Sequence, residues 1–272
     1  MQEAFRAPKG RGSVQIFWVS LFMQVLQIRV EPISFLLTVI LIPVFHTFTF
    51  LFILQHAGKL TGLAAYGIMG PVLLSIWANA IFYSGELIET ERIHGTLEMV
   101  IATSKNSAEI SLAARAMTNT FLALLALPQA LLIARLGFGM TLHITSFFLF
   151  VLALLIVILS TCAAATIMAN LFVLSRSVRI FQNALTYPFY LLAGLAFPLT
   201  ALPAWLRPFS IPVALSWGSD LLQQSTGLHP YYSPGLDIGM GVGLTAIYFV
   251  IGHLLFCWTE RRVRSTATLG SF

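Results

Sequence analysis

Six long stretches of the chain contain no Asp, Glu, Lys or Arg. A helix needs about 20 apolar residues to cross the hydrocarbon core of a bilayer, so each stretch has roughly the length of a membrane span. Charged residues make up only 9% of the sequence, against roughly 25% in soluble domains. No water-exposed surface can be built from so few charges, which excludes a soluble enzyme, a disordered chain and a nucleic-acid-binding domain. The sequence therefore predicts an integral membrane protein. The charge-free stretches are residues 32–58, 60–85, 116–134, 136–175, 180–206 and 238–259.

The stretch over residues 136–175 is long enough for one span or two, and the positive charges favour one. With six spans and the N-terminus inside, twelve Lys and Arg residues lie on the cytoplasmic side and three outside, as the positive-inside rule requires. A seventh span would move Arg176, Arg179 and the cluster at 261–264 outside. We therefore predict an all-α membrane protein in which residues 1–272 form a single transmembrane domain with both termini in the cytoplasm. The predicted spans are residues 33–55, 61–85, 116–134, 144–166, 180–200 and 238–259.

Residues 1–31 are predicted to form a cytoplasmic tail followed by an interfacial amphipathic helix. The apolar run over 14–28 is short, and Ser20, Gln24 and Gln27 recur along one side at helical spacing, which is typical of a helix lying in the membrane interface. Basic residues before the run also suit a signal peptide, but no cleavage pattern of small residues follows.

Prolines are concentrated before the last span. Six of the twelve prolines fall within residues 198–234, and a continuous helix cannot hold that density because each internal proline removes a backbone hydrogen bond. Residues 201–236 are therefore predicted to form short, re-entrant outer helices anchored by aromatic residues. A loop folded on the outer surface is the alternative.

Several kinds of chemistry have no residues to support them. No span carries a charge near its centre, which argues against a carrier driven by an ion gradient. His46 and His253 are lone histidines without a second ligand nearby, so no metal site is expected, and they fit packing roles. The sequence also lacks a phosphate-binding loop and hydrolase or protease motifs. We therefore expect that the chain is not an enzyme and that a partner supplies the energy. Cys162 and Cys257 both lie in apolar runs and predict no disulfide.

One predicted cytoplasmic loop, residues 86–109, carries dense mixed charge. Gly95 interrupts the helix that enters from the second span, Thr96 can cap a new helix, and Glu98 falls in its first turn. The pattern predicts a short amphipathic helix that docks on a cytoplasmic protein. The alternative is a solvated turn whose charges only set the topology.

The same loop carries a specific resemblance. Residues 91–98 read E-R-I-H-G-T-L-E and resemble the E-R-x-x-G-T-L-E motif of ABC-2 type transporter permeases, in the branch that exports drugs and antibiotics. Residues 192–199 and 202–206 resemble the family's second signature, a glycine before F-P followed by L-P-x-W-L. The six-span layout extends the likeness over essentially the whole chain. In one departure, Ser104 and Lys105 stand where the family usually has a proline.

The resemblance implies a mechanism and partners. The charged loop would be the coupling helix that fits a cleft in a separate cytoplasmic ATP-binding-cassette subunit, which would bind the ATP and Mg²⁺, so the chain needs no cofactor of its own. A second permease copy, in a homodimer, or a paralogue would complete the pathway. The implied location is the cytoplasmic (inner) membrane of a prokaryote, and the implied direction is export. The coupling residues are Glu91, Arg92, Gly95, Thr96, Leu97 and Glu98.

The aromatic residues of two predicted spans bear on which cargo the chain would carry. Phe82, Tyr83, Phe189 and Tyr190 offer aromatic surface for a substrate pathway, although aromatic residues at helical spacing usually serve packing. An amphipathic or hydrophobic drug, antibiotic or lipid is expected. A lipid-linked glycan ranks second, because residues 29–32 differ from the basic motif of that family branch. A non-transporting immunity or sensor subunit that recruits an ATPase, and an intramembrane enzyme, are the alternatives from other classes.

Overall fold

The computed structural model describes residue 18 and residues 32–58, 60–93, 117–174, 178–195, 197–228 and 231–266. The described residues are mostly helical and contain no strand. The helices, numbered along the chain, are α1 (Pro32–Phe35), α2 (Ile42–His56), α3 (Leu60–Ile93), α4 (Ala126–Phe138), α5 (Phe147–Leu174), α6 (Val178–Leu192), α7 (Ala214–Ser225) and α8 (Pro234–Thr266). A π-helical segment, Leu36–Leu41, joins α1 to α2, residues 117–123 are helical before α4, and two 3₁₀ turns, Leu199–Ala201 and Arg207–Ser210, lie between α6 and α7.

Five helical runs are long and apolar enough to cross a membrane. Many of their large apolar side chains face outwards, for example Phe45, which is 67% exposed, and Leu254, which is 61% exposed. Exposed apolar surface on this scale suits contact with lipid, and this arrangement is typical of a multi-pass membrane protein. The five spans found among the described residues are Leu36–His56, Leu63–Phe82, Met117–Phe138, Phe147–Phe172 and Pro234–Thr259.

Helix α3 occupies the centre of the bundle. In its span, Leu63–Phe82, 89% of the residues in the most apolar window are buried, against 22% in the span that contains α2. It packs against α2, α4, α5 and α6. A Cβ atom at Gly67 would lie 2.8 Å from the Leu51 side chain of α2, so the absence of a side chain lets these two helices approach closely.

Helix α5 is a single helix of 28 residues in the stretch whose length allowed one span or two. Helices α7 and α8 both pack along it. Cβ atoms at Gly218 of α7 and Gly241 of α8 would each lie 2.9 Å from an α5 side chain. The small residues therefore bring both helices against α5.

The fifth predicted span, residues 180–200, differs from the helix that is observed there. Helix α6 has 15 residues and ends at Leu192, which is shorter than the roughly 20 residues that a perpendicular span needs. The helix stops before Gly194, whose φ of 63° is a left-handed conformation that suits glycine. The six-span layout therefore remains a prediction.

The other predicted elements differ in how far the structure describes them. The interfacial helix falls within residues 1–31, of which only Trp18, in a helical conformation, is described before Pro32. Residues 94–116, with most of the predicted coupling helix, lie outside the described residues. In the predicted re-entrant segment, residues 201–236, the chain forms a 3₁₀ turn and α7, and whether these dip into a bilayer stays a prediction.

Candidate functional site

The predicted coupling motif begins on the last turn of α3. Glu91 and Arg92 belong to this helix, whereas Gly95, Thr96, Leu97 and Glu98 lie outside the described residues. The span in α3 ends at Phe82, and residues 83–93 extend the helix by roughly 16 Å at 1.5 Å per residue. One continuous helix thus connects the buried centre of the bundle to the start of the motif.

Two of the predicted aromatic residues, Phe82 and Phe189, take part in the contact between α3 and α6. Phe82, Phe189 and Tyr190 are all partly buried, and Phe189 stacks on Trp77 of α3 with ring centroids 4.6 Å apart. Tyr83 lies on α3, and its side chain is outside the described residues. Trp77 was not predicted as part of this group. Helix α3 is rich in apolar residues, and its periodicity does not show which of them contacts α6.

A polar side chain fixes the same contact. Nε2 of Gln182, on α6, donates hydrogen bonds to the carbonyl oxygens of Ile81 and Phe82, both at 3.1 Å. Gln182 is buried, so these bonds replace its contacts with water and hold α6 at one height along α3. We call Trp77, Phe82, Gln182 and Phe189 the α3–α6 junction.

A second constellation lies between α7 and α8. Asp220, on α7, and Asp237, in the first turn of α8, are 7% and 0% exposed. They are the only two aspartates in the chain. Buried carboxyl groups are expensive and mark candidate functional sites in membrane proteins. We call Asp220 and Asp237 the carboxyl pair.

Backbone groups stabilise the first member of the pair. The N–H groups of Tyr231 and Tyr232 donate to Oδ2 of Asp220 at 3.1 and 3.0 Å. Burial raises the pKa of Asp220 above its ordinary value, and these hydrogen bonds act in the opposite direction. The ring of Tyr232 stacks on Trp217 of α7, with centroids 4.4 Å apart, so the turn before α8 is fastened to α7 by both its backbone and its side chains.

Gln224 connects the two carboxyl groups. Its Nε2 atom donates to Oδ2 of Asp220 at 3.3 Å and to Oδ2 of Asp237. The two carboxyl groups therefore share one amide nitrogen as a hydrogen-bond donor. Oδ1 of Asp237, Oε1 of Gln224 and both amide atoms of the buried Gln223 have no hydrogen-bond partner among the described residues. The polar atoms on and near the carboxyl pair could therefore form more hydrogen bonds than the described residues provide.

The sequence analysis missed the carboxyl pair. Its last span was predicted to start at residue 238, one residue after Asp237, whereas α8 begins at Pro234. Asp220 fell in a segment interpreted as an outer re-entrant region. One signal was present: the only two aspartates of the chain flank a single segment that contains Pro230 and Pro234.

The histidines and cysteines form no comparable cluster. His46 lines an apolar cavity of about 430 Å³ between α2, the π-helical segment and Ile133. Cys162 and Cys257 are free thiols, and Cys257 lies 3.8 Å from Nε2 of His253. Within the described part of the chain, no three His, Cys, Asp or Glu residues are grouped so that they could hold a metal ion.

No family model matches the chain, and no curated protein matches it. The likeness to ABC-2 type permeases consequently rests on the two motifs themselves and on the layout of the spans.

Proposed function

We propose that the chain is the membrane-spanning permease subunit of an ATP-driven exporter of the ABC-2 type, energised by a separate cytoplasmic ATPase. The observation that carries this proposal is the position of the E-R-x-x-G-T-L-E motif. Its first residues, Glu91 and Arg92, lie on the last turn of α3, the most buried spanning helix described. A partner that moves the motif would therefore act directly on the centre of the bundle.

The α3–α6 junction supports a path for that movement. Helix α3 runs without a break from Ala64 to Ile93 and includes Pro71. A displacement at the motif would therefore be transmitted along it. Trp77 and the carbonyl oxygens of Ile81 and Phe82 then engage α6. We infer that closure of the ATPase dimer shifts α3 and that α6 follows.

The second signature lies where α6 ends. Gly194 has its left-handed conformation there. Arg207 stabilises the following turns through two hydrogen bonds. Its Nε donates to the Leu202 carbonyl at 3.0 Å, and its Nη2 donates to the Thr200 carbonyl at 2.7 Å. In this proposal, the two motifs stand at opposite ends of one mechanical unit made of α3 and α6.

The assembly and the cargo follow from the same surfaces. Ile180 and Leu191 of α6 are 70% and 44% exposed, which leaves an apolar face for a second copy or a paralogue of the chain. Because no predicted span carries a charge near its centre, the pathway suits an amphipathic or hydrophobic drug, antibiotic or lipid. We place the complex in the cytoplasmic membrane of a prokaryote, with both termini inside.

Affinity capture of the tagged full-length chain from gently solubilised native membranes tests the partnership. Wild-type chain should bring down an ATP-binding-cassette subunit at equal stoichiometry, identified by mass spectrometry. Glu98→Lys and Gly95→Pro should each abolish this association, because one reverses a charge in the motif and the other changes its backbone.

Glu260→Lys is the matched control. It makes the same charge reversal beyond the last span and should leave the association intact. All three variants should insert in the membrane to the same extent, measured by carbonate extraction. Retention of the ATPase by both motif variants would contradict the coupling role.

A further inference from the structure

The carboxyl pair between α7 and α8 has a chemical property that a permease does not require. We propose that Asp220 and Asp237 form a proton-binding site, which holds one proton between the two carboxyl groups and joins α7 to α8. The site is made of other residues than the α3–α6 junction and would exist whether or not the chain is an exporter.

The geometry of the pair favours a bound proton. One amide nitrogen, Nε2 of Gln224, donates to Oδ2 of both carboxyl groups, so the two buried groups lie beside each other. Two ionised carboxylates side by side in a buried site would repel each other strongly. A carboxylate can only accept hydrogen bonds, whereas a protonated partner can donate one to it, so a single proton on one of the two groups removes the repulsion.

The surroundings assign the proton to one member of the pair. Asp220 accepts backbone hydrogen bonds from Tyr231 and Tyr232, and these favour its ionised form. Asp237 is fully buried, and its Oδ1 atom accepts no hydrogen bond from the described residues. The proton therefore resides mainly on Asp237, with Asp220 as its acceptor.

Gln223 is a second and independent sign of a ligand. It is 2% exposed, and neither its amide oxygen nor its amide nitrogen has a partner among the described residues. It lies three residues after Asp220, which places it on the same side of α7. The buried amide of Gln223 therefore adds an unused donor and an unused acceptor on the side of α7 that carries Asp220.

The neighbouring groups favour a proton over other ligands. Tyr66 of α3 interacts electrostatically with Asp220, and Tyr231 and Tyr232 flank it from the turn. Burial raises the pKa of Tyr232, so this phenol remains neutral. No Lys, Arg or His of the described ranges is among the groups that act electrostatically on either carboxyl group. A metal ion would need more ligands than the two carboxyl groups found here.

Release of the proton is a simple ionisation. The carboxylic acid O–H bond breaks, its electron pair stays on the carboxylate, and the proton passes to water. Two adjacent carboxylates remain, and their repulsion weakens the contact of α7 with α8. Proton binding and the closeness of these two helices are therefore linked.

The two aspartates allow a direct test on the unmodified full-length protein. Aspartate labelled with ¹³C at its side-chain carboxyl places only two labelled carboxyl groups in the chain. In detergent-solubilised protein, NMR titration should show one of the two ionising well above the pH of about 4 that is ordinary for aspartate. In infrared spectra, the band of the protonated acid should be present at neutral pH and should shift with the label.

Variants assign the signals and exclude other sources. Asp237→Asn should remove the infrared band of the protonated acid at neutral pH and should leave a single carboxyl titration, that of Asp220. His229→Gln should change neither, which excludes the histidine near this turn. Two results would overturn the proposal: both labelled carboxyl groups ionised at neutral pH, or signals that respond to exchange of sodium for choline and not to pH.

Discussion

Two short helices of the molecule, α6 and α7, are held in place by different chemistry. Helix α6 is fixed on α3 by the Trp77–Phe189 stack and by two hydrogen bonds from Gln182 to backbone carbonyls. Helix α7 meets α8 through the carboxyl pair and Gln224. The first contact contains no group that titrates near neutral pH, whereas the second contains two acids.

This difference separates two tasks. A contact made of rings and amide–carbonyl bonds keeps its strength at any physiological pH, and it is suited to carry a mechanical displacement from the predicted coupling motif. A contact made of acids changes strength with proton binding. Substitutions in the two contacts should therefore differ in both size and pH dependence.

The largest effect is expected at the centre of the first contact. Trp77 is 1% exposed, and Trp77→Ala leaves a cavity between α3 and α6 that should cost about 3–5 kcal/mol. Thermal unfolding of the purified protein measures this loss. Trp205→Ala is the control, because Trp205 is 70% exposed and its truncation should change the unfolding temperature little. Equal losses in both variants would show that α3 is not the packing centre.

A smaller loss is expected when the carboxyl pair is broken. Asp220→Ala removes the acceptor of the Tyr231 and Tyr232 N–H groups and should cost roughly 1–3 kcal/mol. Hydrogen exchange of these two amides should accelerate in the variant. Unchanged exchange would mean that other groups hold the turn before α8.

The pH dependence distinguishes the two contacts most clearly. Because burial raises the pKa of Asp220, the folded state binds a proton more tightly than the unfolded chain, whose carboxyl titrates near 3.8. The contribution of the pair to stability is therefore full below that pH and falls as the pH rises, until the folded pair is ionised, by about 1.4 kcal/mol for each unit of pKa difference. The difference in unfolding temperature between wild type and Asp220→Asn should change with pH in this direction. A constant difference would contradict the raised pKa.

The smallest effect is expected at Gln182. Gln182→Leu removes the hydrogen bonds to the carbonyls of Ile81 and Phe82 and should cost about 1 kcal/mol. This loss should be the same at acid and alkaline pH, as judged by thermal unfolding at each. If the loss of stability in Gln182→Leu varied with pH, the contact of α3 with α6 would not differ from the contact of α7 with α8 in its pH dependence, and the proposed distinction would be wrong.

The sequence predicted the all-helical, membrane-spanning character, because charge-free length is a property of the chain alone. It could not identify which helix is central. The span of α3 and the span that contains α2 are both apolar enough to cross a membrane, yet their buried fractions differ fourfold. That difference arises from packing among helices, which hydropathy does not encode.

The carboxyl pair shows why the candidate site was predicted only in part. Asp220 and Asp237 stand well apart in the sequence, and only the packing of α7 against α8 brings the two acids together. The end of α6 illustrates the same limit: the charge-free stretch continues past Leu192, but the left-handed Gly194 ends the helix. Of the predicted aromatic residues, Phe189 packs in the α3–α6 junction, and its partner there, Trp77, depends on the register of α3 against α6.

The central claim is that ATP hydrolysis by a partner drives movement of an amphipathic molecule through this chain. The most direct measurement uses vesicles that contain the full-length chain with its captured ATPase and a lipophilic fluorescent dye. Wild-type vesicles should move the dye only with ATP and Mg²⁺, and Glu98→Lys vesicles should not. A wild-type complex that hydrolyses ATP without moving the dye or labelled phospholipid, just as Glu98→Lys vesicles do, would contradict the claim and favour a subunit that only recruits the ATPase.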